Sequence, residues 1–158
     1  ALMPEPRTFL MGKHPAPLPG ELRYCKNHMW CRPGTDGLHT FGFTSYAVRL
    51  MQDVYFLEWR IEPGLVTAKQ EIGYIETQKA TSGLYAPLEG RIVRFNAALL
   101  EDPGTINVDG YGKGYLFEFR GDLADTLDVD AYFTHLEAGW DATQRILKGQ
   151  VNKMADDE

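Results

Sequence analysis

The sequence predicts a mainly β, antiparallel domain with short helices and a helical extension at its C-terminal end. Three observations predict it. Gly 16 and Pro 9 among 158 residues punctuate the chain often enough for many short strands. Between these turn residues lie short runs rich in β-branched and aromatic side chains. After residue 119 the apolar spacing changes to the 3.6-residue period of a helix. The apolar fraction of 44% and charged fraction of 24% are those of a globular chain, and the length suits one domain with a sizeable core.

Residues 1–20 hold Pro4, Pro6, Pro15, Pro17 and Pro19, and read as an extended arm, on the surface or partly disordered. From Glu21 the pattern becomes strand-like, with alternation over 39–43 and an aromatic run over 53–59. Between them Thr44 caps a short helix over 45–51, with Tyr46, Ala47 and Leu50 on one face. Glu62-Pro63-Gly64 is a turn. A strand over 70–77, a polar tip and a strand over 83–87 follow, then a turn at 88–90 and a strand over 91–95. Asn96 caps a helical stretch through Leu100, which stops at Asp102-Pro103-Gly104. Residues 115–119 alternate cleanly as a final strand. Leu127, Tyr132, Phe133 and Leu136 suit one helix, and Ile146, Leu147 and Val151 a second. No segment repeats.

Charge and composition exclude several classes. A net charge of −6 argues against nucleic-acid binding, which needs a basic face. No apolar run is long enough to span a membrane. The N-terminal segment lacks the apolar stretch of a secretory signal, so a cytoplasmic protein is expected.

The tip between the strands carries the chemistry. In Ile75-Glu76-Thr77-Gln78-Lys79-Ala80-Thr81-Ser82-Gly83-Leu84-Tyr85-Ala86-Pro87, Lys79 stands between two strands like a post. Its long stem and terminal amine suit acylation, which removes the charge and lengthens the arm. A lone turn lysine is ordinarily just solvated; the surrounding pattern is what singles this one out.

That pattern resembles the lipoyl-attachment hairpin of glycine cleavage H proteins, Glu-Ser-Val-Lys-Ala followed by Ser-Asp-Leu-Tyr-Ser-Pro. Glu76, Lys79, Ala80, Leu84, Tyr85 and Pro87 match in order and spacing. Upstream, Tyr24-x-Lys26-x-His28-x-Trp30, Gly42-Phe43-Thr44-x-Tyr46-Ala47 and Asp53-Val54 are similar to family motifs. Downstream, so are Gly90-Arg91-Ile92-Val93-x-x-Asn96 and Asn107-x-x-x-Tyr111-Gly112-x-Gly114-Tyr115-Leu116. The resemblance implies a lipoyl domain over residues 21–137, two antiparallel sheets forming a flattened hybrid barrel of the biotinyl/lipoyl-carrier type. It implies lipoate amide-linked to Lys79, attached by a lipoate-protein ligase or by lipoyl assembly enzymes that recognise Glu76. Such a carrier catalyses nothing itself. A dihydrolipoamide dehydrogenase would reoxidise its arm by thiol–disulfide exchange. A monomer suits a carrier that visits several active sites, and an acidic surface suits docking on basic enzyme entrances.

Several positions depart from that pattern. Thr77-Gln78 stands where the family has Ser-Val, and Met29 where it has Glu. Cys25 and Cys31 occupy positions of small or aliphatic residues. Residues 1–20 and 138–158 form an added arm and an added helical, acidic tail. These features resemble the divergent lipoate-binding proteins that accompany heterodisulfide-reductase-like complexes in bacterial sulfur oxidation. That resemblance implies an arm carrying sulfur-bearing intermediates to or from the reductase-like complex. The alternative is a glycine cleavage H protein serving the glycine cleavage enzymes. From another class, an unmodified H-like docking or regulatory module would use the arm or the C-terminal helix as its contact surface.

The remaining candidates read as structural. On one extended strand Cys25 and Cys31 would lie ~20 Å apart, so a disulfide would need a turn at Lys26-Asn27. His28 would face away from both, which leaves no zinc tetrahedron, and no metal site is expected. His28 and Trp30 read as core or partner-surface residues, and His14, His39 and His135 show no site spacing. Gly110-x-Gly112-x-Gly114 lacks the strand and helix that a phosphate loop needs, and reads as tight turns near the hairpin base. No nucleophile with a base and an orienting group is legible, so no catalytic residue is expected.

Overall fold

A computed structural model describes residues 4–156, with side chains through residue 145. Its strands are β1 (Arg7–Met11), β2 (His14–Leu18), β3 (Arg23–Tyr24), β4 (Met29–Arg32), β5 (His39–Phe43), β6 (Val54–Trp59), β7 (Gly64–Val66), β8 (Glu71–Thr77), β9 (Thr81–Tyr85), β10 (Gly90–Phe95) and β11 (Phe117–Arg120). The helices are α1 (Ser45–Met51), α2 (Ala98–Glu101), α3 (Thr105–Val108) and α4 (Val129–Asp156). Among the described residues no helix is long and apolar enough to cross a membrane.

Two antiparallel sheets face each other, one of six strands in the order β3-β4-β5-β11-β10-β7 and one of three in the order β6-β8-β9. Their inner faces meet in a core where Phe41, Ile72, Ile75, Ile92, Phe117 and Phe119 are fully buried. A bulge in β8 between Glu71 and Gly73 breaks the two-residue alternation. Ile72 and Ile75, of opposite parity, therefore both reach that core. This is the mainly β, two-sheet architecture expected, with Thr44 capping α1 by accepting from Ala47 N–H at 3.3 Å.

The other face of β3–β5 is covered as well. There Tyr24, Trp30 and Tyr46 form a second core with Phe9 and Leu18 from the N-terminal segment and Tyr132 and Leu136 from α4. The rings of Tyr24 and Tyr132 stack with centroids 4.6 Å apart. Phe9 meets Tyr46, Phe133 and Trp140 edge-on at 5.5–5.7 Å. Gly42 makes room for this packing, because a Cβ there would lie 2.5 Å from the Trp30 ring.

The structure corrects three expectations. The Pro-rich segment is not an extended arm but a β1–β2 hairpin on the second core. Pro15 and Pro17 sit at alternate positions opposite Leu10 and Thr8, so their missing donors fall on the free edge and the ladder stays intact. Phe9, Met11, Ala16 and Leu18 point inward, and Gly12 takes the turn's φ of +64°. The C-terminal region is one helix, α4, rather than two. Asp128 starts it by accepting from Ala131 N–H at 2.8 Å, and Gly139 continues it on an open face. The side chains of Ile146, Leu147 and Val151 lie outside the described residues. Asn96 is not a side-chain helix cap: its amide donates to Lys113 O and Tyr115 O at 3.0 and 2.8 Å, tying the loop before β11 to β10. Two strand starts also shift, with β9 beginning at Thr81 and β11 at Phe117.

Candidate functional site

Lys79 sits on the three-residue tip between β8 and β9, the central and one outer strand of the smaller sheet. Ile72 and Ile75 anchor β8 in the inter-sheet core, and Leu84 does so for β9. The base of the hairpin is therefore fixed while Gln78, Lys79 and Ala80 are exposed.

Thr77 shapes the tip. Its backbone N–H donates to Ala80 O at 3.0 Å, closing the turn. Its hydroxyl accepts from Lys79 N–H at 3.2 Å and from Ala80 N–H at 3.3 Å, and donates to Ala80 O at 3.3 Å. The side chain is only 6% exposed. This hydroxyl was not singled out in the sequence; the signal for it is a Ser/Thr residue two positions before the lysine, a pattern that folds the side chain onto the following backbone. Glu76 is half-buried on β8, opposite Thr81 on one side and Phe56 of β6 on the other.

A cleft of about 160 Å³ opens beside Lys79, lined also by Met11, His14, Arg49, Leu50, Gln52 and Trp140. These residues come from β1, β2, the C-terminal turn of α1 and the middle of α4. Their separation along the chain hid the grouping from the sequence. Gln52, at φ +62°, is held by Asn107. The Asn107 side chain donates to Gln52 O at 2.7 Å and accepts from Val54 N–H at 2.9 Å.

The other candidates fall elsewhere. A turn at 26–28 folds β3 onto β4, which leaves Cys25 just after β3 and Cys31 on β4 opposite Arg23, both reduced and buried in the inter-sheet core. Burial pushes each thiol up to about 12, with the neighbouring Cys25 adding to the rise at Cys31. This is the opposite of what a reactive thiolate needs. His28 occupies the turn at φ +70° and faces α4, where its Nδ1 lies 2.9 Å from the Tyr132 hydroxyl. Burial, with His135 nearby, lowers it to about 4. Trp30 is fully buried and donates to Gly110 O at 2.9 Å. Gly110, Gly112 and Gly114 do not adopt left-handed backbone. Gly114 is needed for close approach, since a Cβ there would meet Thr105 O at 2.6 Å.

A family model described as glycine cleavage H-protein matches residues 22–137. The chain is 38% identical over 127 residues to the glycine cleavage system H protein of Coxiella burnetii (strain Dugway 5J108-111), covering 78% of this chain and 98% of the relative. To that of Psychrobacter arcticus it is 39% identical over 123 residues, covering 75% and 98%. Among solved structures it is similar to a glycine cleavage system H protein from Mycobacterium marinum, at 34% identity and a TM-score of 0.65. That likeness covers 73% of this chain and 95% of the other. The β1–β2 hairpin and α4 beyond residue 137 lie outside the family match.

Proposed function

Because the chain belongs to the glycine cleavage H-protein family, whose members carry lipoate on a lysine and are not themselves catalysts, we propose that Lys79 is the lipoyl lysine and that the arm serves glycine cleavage. The observation that carries this is an exposed lysine at the tip of a hairpin whose base is buried. The residues present fit the group. The Lys79 amine is exposed and makes no ion pair among the described residues. A cleft lies beside it for an acyl chain to rest against.

Lipoate supplies a dithiolane that opens to take a transferred group and is closed again by oxidation. The chain's own residues hold and present it. Thr77 fixes the Lys79 backbone, so a modifying enzyme meets the amine at a defined place while the four-carbon stem stays free. Glu76, three residues earlier on rigid β8, is a carboxylate for that enzyme to read. Acylation removes the Lys79 charge, leaving an arm anchored by an amide.

The departures around Lys79 and the added segments point to the sulfur-oxidation carriers, but the relatives are named for glycine cleavage. That makes the aminomethyl group the better-supported cargo. The test begins with incubation with lipoate-protein ligase, lipoate and ATP, followed by intact mass and peptide mapping. A single lipoyl increment on Lys79 is expected, and none on Lys79→Arg, which cannot form the amide. The lipoyl protein is then offered to glycine decarboxylase with glycine. An aminomethyl increment supports the proposal. No increment there, with turnover by a heterodisulfide-reductase-like complex, returns the sulfur reading. An unmodified Lys79 in protein from its native cells leaves the docking module.

A further inference from the structure

The outer face of the six-stranded sheet is only partly covered. The row formed by Tyr24, Trp30 and Gly42 lies under the second core. Arg32 closes that core, with its guanidinium 4.9 Å from the centre of the Trp30 ring and donating to Tyr111 O at 3.0 Å. Directly opposed residues share one face of a sheet, so the register says what stands on the face beyond. One row runs Arg32, Thr40, Glu118, Arg94, and the next runs Arg120, Arg91, Leu65. These positions hold four arginines and a single carboxylate, on a chain whose net charge is −6.

Two of the four arginines have partners that explain them. Arg32 belongs to the second core, and Glu118 accepts from Arg94 Nε at 2.9 Å. Arg91 and Arg120 remain, exposed and directly opposite each other on β10 and β11, and neither makes an ion pair among the described residues. Arg120 is steadied by donating to Asp36 O at 3.0 Å, while the Asp36 carboxylate accepts from Leu38 N–H at 3.1 Å. Like charges directly opposite destabilise a sheet, so the fold gains nothing from this pair. A carboxylate set between the two guanidiniums accepts from both and cancels their repulsion. Beside Arg91 on the edge strand β7, Leu65 is 73% exposed. We propose that Arg91, Arg120 and Leu65 dock an acidic segment of a partner protein, one carboxylate bridging the arginines and a neighbouring aliphatic side chain resting on Leu65. Charge complementarity and the exposed leucine select this occupant. A nucleic-acid backbone would run past the arginines onto a chain of net charge −6, and makes no use of a leucine. Lys79 belongs to the opposite sheet, so a partner held here leaves the hairpin tip open. The surface stands whether or not Lys79 is lipoylated.

The experiment uses the full-length protein, unmodified at Lys79 and isotopically labelled for NMR. The probe is the acetylated, amidated peptide Glu-Leu-Glu-Leu-Glu, with Lys-Leu-Lys-Leu-Lys as its control. The acidic peptide is expected to shift the Arg91 and Arg120 side-chain N–H signals and the Leu65 methyl signals together, and the basic peptide to shift none of them. Arg91→Glu and Arg120→Glu should each weaken the acidic peptide at least about tenfold, because a like charge then faces it. Arg60→Gln, on the other sheet, should leave its binding unchanged. Arg91→Gln and Arg120→Gln keep the fold readable: each should melt no lower than the parent protein and bind severalfold more weakly. Leu65→Ser should weaken binding while the Arg91 shift persists at saturating peptide. No shift at Arg91 and Arg120, shifts spread evenly over other exposed arginines, or undiminished binding by Arg91→Glu overturns the proposal. Tighter binding of single-stranded oligothymidine at the same signals overturns it in favour of a phosphate backbone. None of these outcomes bears on whether lipoate attaches to Lys79, which the mass increment on incubation with the ligase reads separately.

Discussion

Replacing Thr77 with valine keeps the β-branched shape and removes the hydroxyl on which the Lys79 turn is built. Three contacts go: those from Lys79 N–H at 3.2 Å and Ala80 N–H at 3.3 Å, and the one to Ala80 O at 3.3 Å. All three are long and residues 79 and 80 are exposed, so water recovers part of the loss. Taking about 0.5 kcal/mol for each, the low end for neutral hydrogen bonds, gives about 1.5 kcal/mol. The backbone bond from Thr77 N–H to Ala80 O, at 3.0 Å, survives, so the hairpin still forms but its tip opens about tenfold more often. Hydrogen exchange should report this as about tenfold faster exchange at Ala80, with Ile75 in the core unchanged. The kcat/KM of lipoylation should fall severalfold, because the ligase meets the lysine in its ordered place less often. Thr77→Ser should restore both. Unaltered exchange at the tip together with wild-type lipoylation of Thr77→Val would refute the reasoning, and would mean that the backbone alone sets the tip.

Three further outcomes are expected. His28 is lowered by burial from 6.5 to about 4, so above pH 6.5 it adds no pH dependence. Below that the unfolded chain takes up a proton that the folded one refuses. By pH 5 stability should have dropped by about 2 kcal/mol from this group, and His28→Asn, which tolerates φ +70°, should lose that share of the pH dependence in denaturant titrations at pH 7 and pH 5. With both thiols pushed up to about 12, Cys25 and Cys31 should resist iodoacetamide at pH 8 until guanidinium unfolds the chain; alkylation within minutes of the folded protein would contradict their burial. Phe9→Ala should cost about 3 kcal/mol in chemical denaturation, whereas a change below 0.5 kcal/mol, about that of an ordinary surface substitution, would mean that the N-terminal hairpin is not part of the core.

The strands of the sandwich were legible because their turns and two-residue alternation are local properties. The Thr44 cap and the β8–β9 hairpin could be read from a few neighbouring residues each. The N-terminal hairpin was missed because five prolines outweighed a short alternation, Phe9-x-Met11 and Ala16-x-Leu18. Only pairing shows that Pro15 and Pro17 turn their missing donors to a free edge. The two apolar sets near the C-terminus read as two helices, but one helix runs through both, with Gly139 between them on an open face.

At the site, the sequence by itself determined that Lys79 stands on a hairpin tip in an H-protein pattern, since six matching residues lie within twelve positions of one another. It also contained the Thr77 hydroxyl, whose reach extends no further than the next three residues. What only the tertiary structure decided is what surrounds that lysine. Met11, His14, Arg49 and Trp140 come within one cleft because the second core draws the hairpin, α1 and α4 over the same face of β3–β5. Burial of Phe9, Tyr24, Trp30 and Tyr132 drives that assembly. Such burial depends on where distant segments meet, which no local pattern in the chain encodes.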